Sequence, residues 1–403
     1  MKILHTSDWH VGKSLGKFSR LEEQETVLEE ICGIIKSEEI DAVVIAGDLF
    51  DNYNPSNKSL ELFYKKIKKM SCEGQIPVIA IAGNHDSPEK IEAPDPLARE
   101  CGIILAGFPH SVPEEIKLES GLQVIRSAPG YMELNLPESS VPLRILFTPF
   151  ANEYRLKTYL GISDEQEELR KLLRKKWGQL ADKYCDNNGV NILVTHLLIA
   201  SKDGIVPDEP EDEKSILAGG LEPVYSDDIP LQIQYTALGH LHRKQFVPDP
   251  RRKIMYSGSP LEYSLSETMQ DKYVVIIDIE PGQEALVREI KLAAGKKIIR
   301  KKFSGIAEAE KWLKKNPDVY VEMTIVSDDF IRSSDKNRLM DIHEGIIAVI
   351  PEIDMDDSWA KAKNIDLDKD ITQLFSDYFE YRQGITPNDQ ILELFREVVN
   401  LQD

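Results

Sequence analysis

The sequence predicts an α/β protein built on an at least partly parallel sheet, followed by a smaller α+β module. Three observations predict this. Strand-like and helix-like periods alternate through the first hundred residues, the strand-like runs are apolar throughout, and a basic run with a second short set of elements follows residue 282. Alternating strands and helices mean βαβ units. Strands without polar alternation are those covered on both faces.

The elements follow in order. Lys2 to Ser7 is a short apolar run ending in polar residues, and Leu21 to Ser37 carries Leu21, Val27, Leu28, Ile31, Ile34 and Ile35 at helical spacing. Asp41 to Ala46 (DAVVIA) reads as a strand, Ser56 to Met70 as a helix and Pro77 to Ala82 as a third strand. From Ser87 to Gly189 the pattern loosens, with short strands expected at Leu122 to Arg126 and Leu143 to Phe147 and a charged helix at Asp164 to Tyr184. Val190 to His196 and Gln232 to His242 restore the buried-strand pattern, and Lys253 to Ser257 and Lys272 to Ile279 are rich in β-branched residues. Beyond the basic run come a helix (Ile306 to Lys315), a strand (Val319 to Val326), a helix (Asp335 to His343) and a strand (Ile346 to Ile350). Pro351 to Gly384 is acidic and weakly periodic, as in a linker. Thr386-Pro387 then opens a last helix, with Ile391, Leu392, Leu394, Phe395 and Val398 on one stripe. That stripe must be covered either by its own domain or by a partner.

These shifts divide the 403 residues into 1–280, 281–351, a linker 352–385 and a terminal helix 386–403. The chain carries 49 Lys+Arg against 69 Asp+Glu, a net −20, which argues against a protein that coats nucleic acid through its average charge. The charge is uneven, however. Asp203 to Asp228 holds nine acids and one lysine, whereas Arg288 to Lys302 holds seven bases and one acid. Cysteines 32, 72, 101 and 185 form no metal-finger or redox spacing and read as buried, reduced thiols. The opening MKILHTSDWH is no signal peptide, and no run reaches the roughly 18 apolar residues of a membrane helix. A cytoplasmic protein is expected.

The chemistry lies where apolar strands stop. Asp8 and His10, Asp48, Asn84-His85-Asp86, His196, and His240 with His242 follow five candidate strands, and carboxyl ends of α/β strands are where ligands gather. A lone histidine at a strand end is usually structural, but five of the eight histidines sit at such ends. Glycine precedes Asp48, Asn84 and His240, where side chains must converge. Asp, Asn and His without Cys suit Mn, Fe or Zn. Seven plausible ligands exceed what one ion takes, so two ions sharing a carboxylate fit better. Such a pair clamps a phosphoryl oxygen and activates water. Phosphate-ester hydrolysis follows.

In order, D-x-H, G-D, G-N-H-D, a lone H and G-H-x-H resemble the calcineurin-like metallophosphoesterase signature over about residues 1–260. ILHTSDWHVGKSL, VVIAGDLFD and YSGSPLEYSLSE are further similar to the SbcD family of bacterial nuclease subunits, relatives of the nuclease of the eukaryotic double-strand-break repair complex. The resemblance implies a metallophosphoesterase β-sandwich flanked by helices, a capping domain and a helical tail that docks a partner. It implies a DNA nuclease, with 3'-5' double-strand exonuclease and single-strand or hairpin endonuclease activity in repair and recombination. It also implies two Mn2+ ions, an SbcC-type ATPase partner, a homodimer through the helices near Ser56 to Met70 and Asp95 to Cys101, and a heterotetramer with the partner. Asp8, His10 and His242 would hold one ion and Asn84, His196 and His240 the other, with Asp48 bridging. His85 would protonate the leaving oxygen or stabilise charge on the phosphate. Asp86 would hold the His85 ring or cap the segment after Ser87. One departure stands out: archaeal relatives carry His where this sequence has Asp51.

The basic run is a solvated face or a DNA-backbone contact through Arg288, Lys296, Lys297, Arg300, Lys301 and Lys302. Arg251-Arg252 reads as a hairpin turn, His5 as a core histidine and Trp9 as packing, while His110 and His343 belong to no constellation. Two other functions fit the same residues: a phosphodiesterase or phosphatase on small or protein substrates, and a scaffold whose main role is docking an ATPase.

Overall fold

The computed structural model describes residues 1–150, 169–203, 205, 207, 224–327, 331–353, 370–383 and 386–400. Most of the acidic stretch from Asp203 to Asp228, the start of the helix expected from Asp164, and most of the expected linker lie outside the described residues.

Two sheets pack face to face. The first holds six strands in the order Leu286–Lys291, Tyr273–Asp278, Lys2–Thr6, Ala42–Ile45, Val78–Ile81 and Ile103–Ala106, the last four parallel. The second holds eight, ordered Gln245–Val247, Lys253–Tyr256, Tyr235–Leu238, Val190–Thr195, Leu143–Thr148, Tyr131–Asn135, Gln123–Ala128 and Ile116–Lys117. In this sheet Lys253–Tyr256 through Leu143–Thr148 are parallel.

Side chains alternate across each strand, so each sheet has two faces to cover. Ile3, Val44, Ile79 and Ile104 face Met132, Ile145, Val194 and Met255 between the sheets. Leu4, Val43, Ile45 and Val78 turn outward onto Val27, Ile31, Phe63 and Ile67 of the helices Leu21–Ser37 and Asn57–Met70. Leu146, Leu193 and Ile254 cover the other outer face with Leu173 and Trp177 of the helix Leu169–Tyr184. Helix, sheet, sheet and helix therefore stack as the expected flanked sandwich, each large buried side chain contributing about 1.5–3 kcal/mol. Ser56 starts its helix by accepting from the Ser59 amide at 3.1 Å.

Two expected boundaries move. Leu286–Lys291 pairs residue for residue with Tyr273–Asp278, so the first sheet runs past the division expected at 280/281. The connection, residues 279–285, closes an antiparallel hairpin, and a composition shift does not mark such a turn. Within the expected linker, Ile371–Gln383 is helical. Its Phe375 ring stacks at 3.9 Å on Phe395 of the helix Asp389–Asn400, which a narrow aromatic contact permits without strong periodicity.

Lys297–Phe303, Val319–Ser327 and Ile346–Ile353 form a parallel three-stranded sheet with the helices Ile306–Lys315 and Ser333–Ile342 around their own core of Phe303, Leu313, Val321, Met323, Ile325 and Leu339. It meets the sandwich through Tyr320, whose hydroxyl donates to Glu23 Oε1 at 2.7 Å under the Arg20 guanidinium. Cys32 and Cys185 are buried, but Cys72 is exposed and Cys101 half-buried, so burial does not extend to all four thiols. Among the described residues no helix is long and apolar enough to cross a membrane.

Candidate metal centre

The parallel strands of both sheets end on the same side. Lys2–Thr6 delivers Asp8 and His10, Ala42–Ile45 delivers Asp48, and Val78–Ile81 delivers Asn84, His85 and Asp86. Val190–Thr195 delivers His196, and Tyr235–Leu238 delivers His240 and His242. The backbone is bent hard to aim these side chains. Asp8, His10, Asp48 and His240 have φ of 53°, 43°, 49° and 100°, a left-handed conformation that costs a non-glycine residue about 1–3 kcal/mol. The loops are tied by Asp8 N to Gly47 O at 3.0 Å and His10 N to Asp48 O at 2.9 Å, while the amides of His240 and His85 donate to Asp8 Oδ1 and Asp48 Oδ1, both at 2.9 Å. A side chain at Gly83 would strike Asp48, its Cβ 2.1 Å from Oδ1, so the close approach of these loops requires glycine.

Asp48 Oδ2 lies 3.4 Å from both His10 Nε2 and His196 Nε2. His10 Nε2 is 2.9 Å from His242 Nε2, and His196 Nε2 is 2.9 Å from Asn84 Oδ1. Asp8, His10, Asp48, His196, His240 and His242 are buried, whereas Asn84 and His85 are half-buried and form the open side. His196 Nδ1 donates to Ala46 O at 2.8 Å, and His242 Nδ1 to the Glu267 carboxylate at 3.0 Å. In the neutral rings both Nε2 atoms therefore turn lone pairs inward, onto oxygens and onto another imidazole. Burial would push the Asp48 carboxyl up, but the imidazoles of His196 and His10 hold it well below the usual range. Burial likewise works to lower His196, yet Asp48 carries its ring up to about 9. At Asp8 burial prevails and raises the carboxyl, and burial drives His10 well down. An ionised carboxylate ringed by imidazoles, at a place where positive charge is favoured, suits divalent cations, which would take the place of the ring proton.

The contact between His85 and Asp86 that the sequence order suggests is not formed. His85 Nδ1 donates to the Asp51 carbonyl at 2.8 Å, not to Asp86. Asp86 instead accepts from the amides of Leu49, Phe50 and Gly83 at 3.0, 2.9 and 2.8 Å, and so it neither holds the ring nor caps the segment after Ser87. Asp86 therefore faces the loop that carries Leu49 and Phe50 and not its chain neighbour His85. Burial and the nearby Asp48 push its carboxyl up to about 7 against those three donors. The Asp51 carboxylate lies 3.2 Å from Lys13 Nζ.

Trp9 is buried, its Nε1 donating to Thr6 Oγ1 at 3.0 Å and its ring edge-on to Phe63, which is packing. Arg252 is buried too, donating to Ser226 O at 3.1 Å. The basic run is not one face. Gly295, at φ 97°, turns the chain between the two sheets, leaving Arg288 in the first and Lys297–Phe303 in the small module. Arg288 pairs with Glu38, Lys297 with Asp271 at 3.3 Å, Arg300 with Glu322 at 2.8 Å and Lys302 with Glu352 at 2.5 Å. The Lys296 ammonium lies over the Tyr320 ring, and that of Lys301 over Phe303 and Trp312. Sequence reasoning missed Glu267 at the site. Its only signal was its place in the YSGSPLEYSLSE segment.

The calcineurin-like phosphoesterase profile matches residues 1–243. The SbcD component of the SbcCD nuclease of Bacillus subtilis is 32% identical over 411 aligned positions, covering 99% of this chain and 98% of that protein. The SbcD protein of Rhodobacter capsulatus is 30% identical over 70% of this chain and 67% of its own length, and that of Staphylococcus epidermidis 32% over 70% and 67%. With strand ends, ligand chemistry and full-length similarity in agreement, this chain belongs to the calcineurin-like phosphoesterases and, among them, to the SbcD family of nuclease components.

Proposed function

We propose that the chain is the metal-dependent nuclease component of an SbcCD-type complex, hydrolysing DNA phosphodiesters at double-stranded ends, hairpins and single strands without using ATP itself. The observation that carries this reading is the buried Asp48 carboxylate, equidistant at 3.4 Å from His10 and His196 on two different sheets. Asp8, His10 and His242 would hold one ion and Asn84, His196 and His240 the second, with Asp48 as the carboxylate the two would share. The pair, most readily Mn2+, would supply electrophilic activation of the phosphate and a water acidic enough to ionise near neutral pH. His85, anchored through Nδ1 on the Asp51 carbonyl, presents Nε2 to carry a proton to the leaving oxygen. Asp86 contributes by tying the Asp48 loop to the Asn84-His85 loop.

A cleft of about 620 Å³ bounded by Ser14, Gly16, Ser264, Ser266 and Arg300 offers a strand path beside the small module. Surface ion pairs such as Arg300–Glu322 are worth at most about 1 kcal/mol, so phosphates can displace them. The helix Asp389–Asn400, with Leu394 exposed, docks an SbcC-type ATPase, and the complex works in the cytoplasm on DNA ends.

The test compares hairpin DNA, bis-p-nitrophenyl phosphate and a mononucleotide in Mn2+. Wild type should cleave both diesters, and Asp48→Asn and His85→Ala should cleave neither while keeping the wild-type circular dichroism. Wild-type rates in Asp48→Asn would overturn the two-ion assignment, and preference for the mononucleotide would favour a phosphatase. Deleting residues 386–403 should abolish partner binding yet spare cleavage of short single strands.

A further inference from the structure

Glu267 is fully buried, and the lysine that meets it is buried as well. Its Oε1 accepts from His242 Nδ1 at 3.0 Å and from the Tyr263 amide at 3.1 Å, while its Oε2 accepts from Lys272 Nζ and from Ser259 Oγ at 3.3 Å. Lys272 Nζ also donates to the His242 carbonyl and to Ser259 Oγ, both at 2.9 Å. The ion pair thus grips His242 at two points, the ring and the main chain. A buried Lys–Glu pair is no better for stability than apolar residues of the same volume. This one has a directional consequence: it assigns the His242 proton to Nδ1 and turns Nε2 toward His10 Nε2, 2.9 Å away.

We propose that Glu267 is a positioning residue for the metal centre, orienting the His242 ring through Nδ1, and that Lys272 holds Glu267 in place. The proposal rests on the two-ion reading above. The carboxylate fixes the tautomer, makes Nε2 more basic and removes the ring's freedom to flip. The loop from Ser257 to Glu267 thereby acts as a brace. Its Tyr263 hydroxyl donates to the Trp9 carbonyl beside His10, and Glu262 accepts from the Ile298 amide of the small module at 2.5 Å.

The test is Mn2+ titration of the metal-stripped full chain, by calorimetry and by the electron paramagnetic resonance signal of free Mn2+. Two variants disturb the core differently and share only the lost acceptor at Nδ1. Glu267→Leu with Lys272→Met removes both charges and the acceptor oxygen, and Glu267→Asp keeps the pair but withdraws the oxygen by a methylene. Wild type should bind two ions. Each variant, folded in EDTA by circular dichroism, should bind one ion as wild type does and the other about 10- to 100-fold more weakly. Unchanged affinity for both ions in either folded variant overturns the proposal, because a role confined to stability would shift the melting temperature and leave affinity alone. If wild type itself fails to bind two ions, the two-ion reading fails instead.

Discussion

Acidification should expose the buried imidazole of His5. His5 lies between the sheets, fully buried, with Nδ1 2.9 Å from the Tyr235 hydroxyl and Nε2 3.2 Å from the Leu238 carbonyl. A carbonyl only accepts, so Nε2 carries the proton and Nδ1 accepts from Tyr235. Burial pushes the ring down to about 3 from its ordinary 6.5, against a smaller upward pull from Leu238. Below pH 6.5 the unfolded chain takes up a proton that the folded chain refuses. The stability is therefore complete above 6.5 and is lost as pH falls toward 3. At pH 5 the gap is about 1.5 pH units, which at about 1.4 kcal/mol per unit is roughly 2 kcal/mol, a factor of about 30. His5→Gln keeps an acceptor and a donor but cannot titrate. Urea unfolding in EDTA at pH 8, 7, 6 and 5, followed by tryptophan fluorescence, should show wild type losing about 2 kcal/mol more than the variant between pH 8 and pH 5. Parallel losses in the two proteins would refute a neutral, buried His5.

Three further outcomes follow from the same packing. Asp86→Ala leaves the amides of Leu49, Phe50 and Gly83 without their acceptor and should lower stability by about 3 kcal/mol or more, read as a fall in urea midpoint at constant slope. Gly83→Ala places a methyl 2.1 Å from Asp48 Oδ1, so the Asp48 loop must shift, and cleavage should fall about 100-fold or more in single-turnover assays; wild-type rates would show that the loops yield freely. A thiol-specific disulfide reagent at pH 8 should modify exposed Cys72 rapidly. Cys32 and Cys185, whose thiols burial pushes up to about 11 and about 12, should react only after unfolding, as peptide mass mapping would reveal.

The alternation of strands and helices and the edge where the candidate ligands converge were legible because apolar period and strand ends are local properties. The pairing of two sheets into a sandwich, by contrast, came from the family resemblance. Asp8, His10, Asp48, His196, His240 and His242 could be named from sequence, since each follows its strand by only a few residues. Adjacency misled at Asp86, which borders His85 in the chain but serves the loop carrying Leu49 and Phe50. The same held for the basic run, which reads as one patch in a line of letters and is divided by the turn at Gly295.

By itself the sequence determined which residues converge, because parallel strands bring their carboxyl ends to one side whatever the details of packing. Only the tertiary structure decided how each ring is turned. Glu267 reaches His242 across 25 residues through a folded loop, and Ala46 offers His196 a carbonyl from a strand 150 residues away. Tautomer and aim depend on hydrogen bonds between segments with no common local pattern, so they exist only once the two sheets have met.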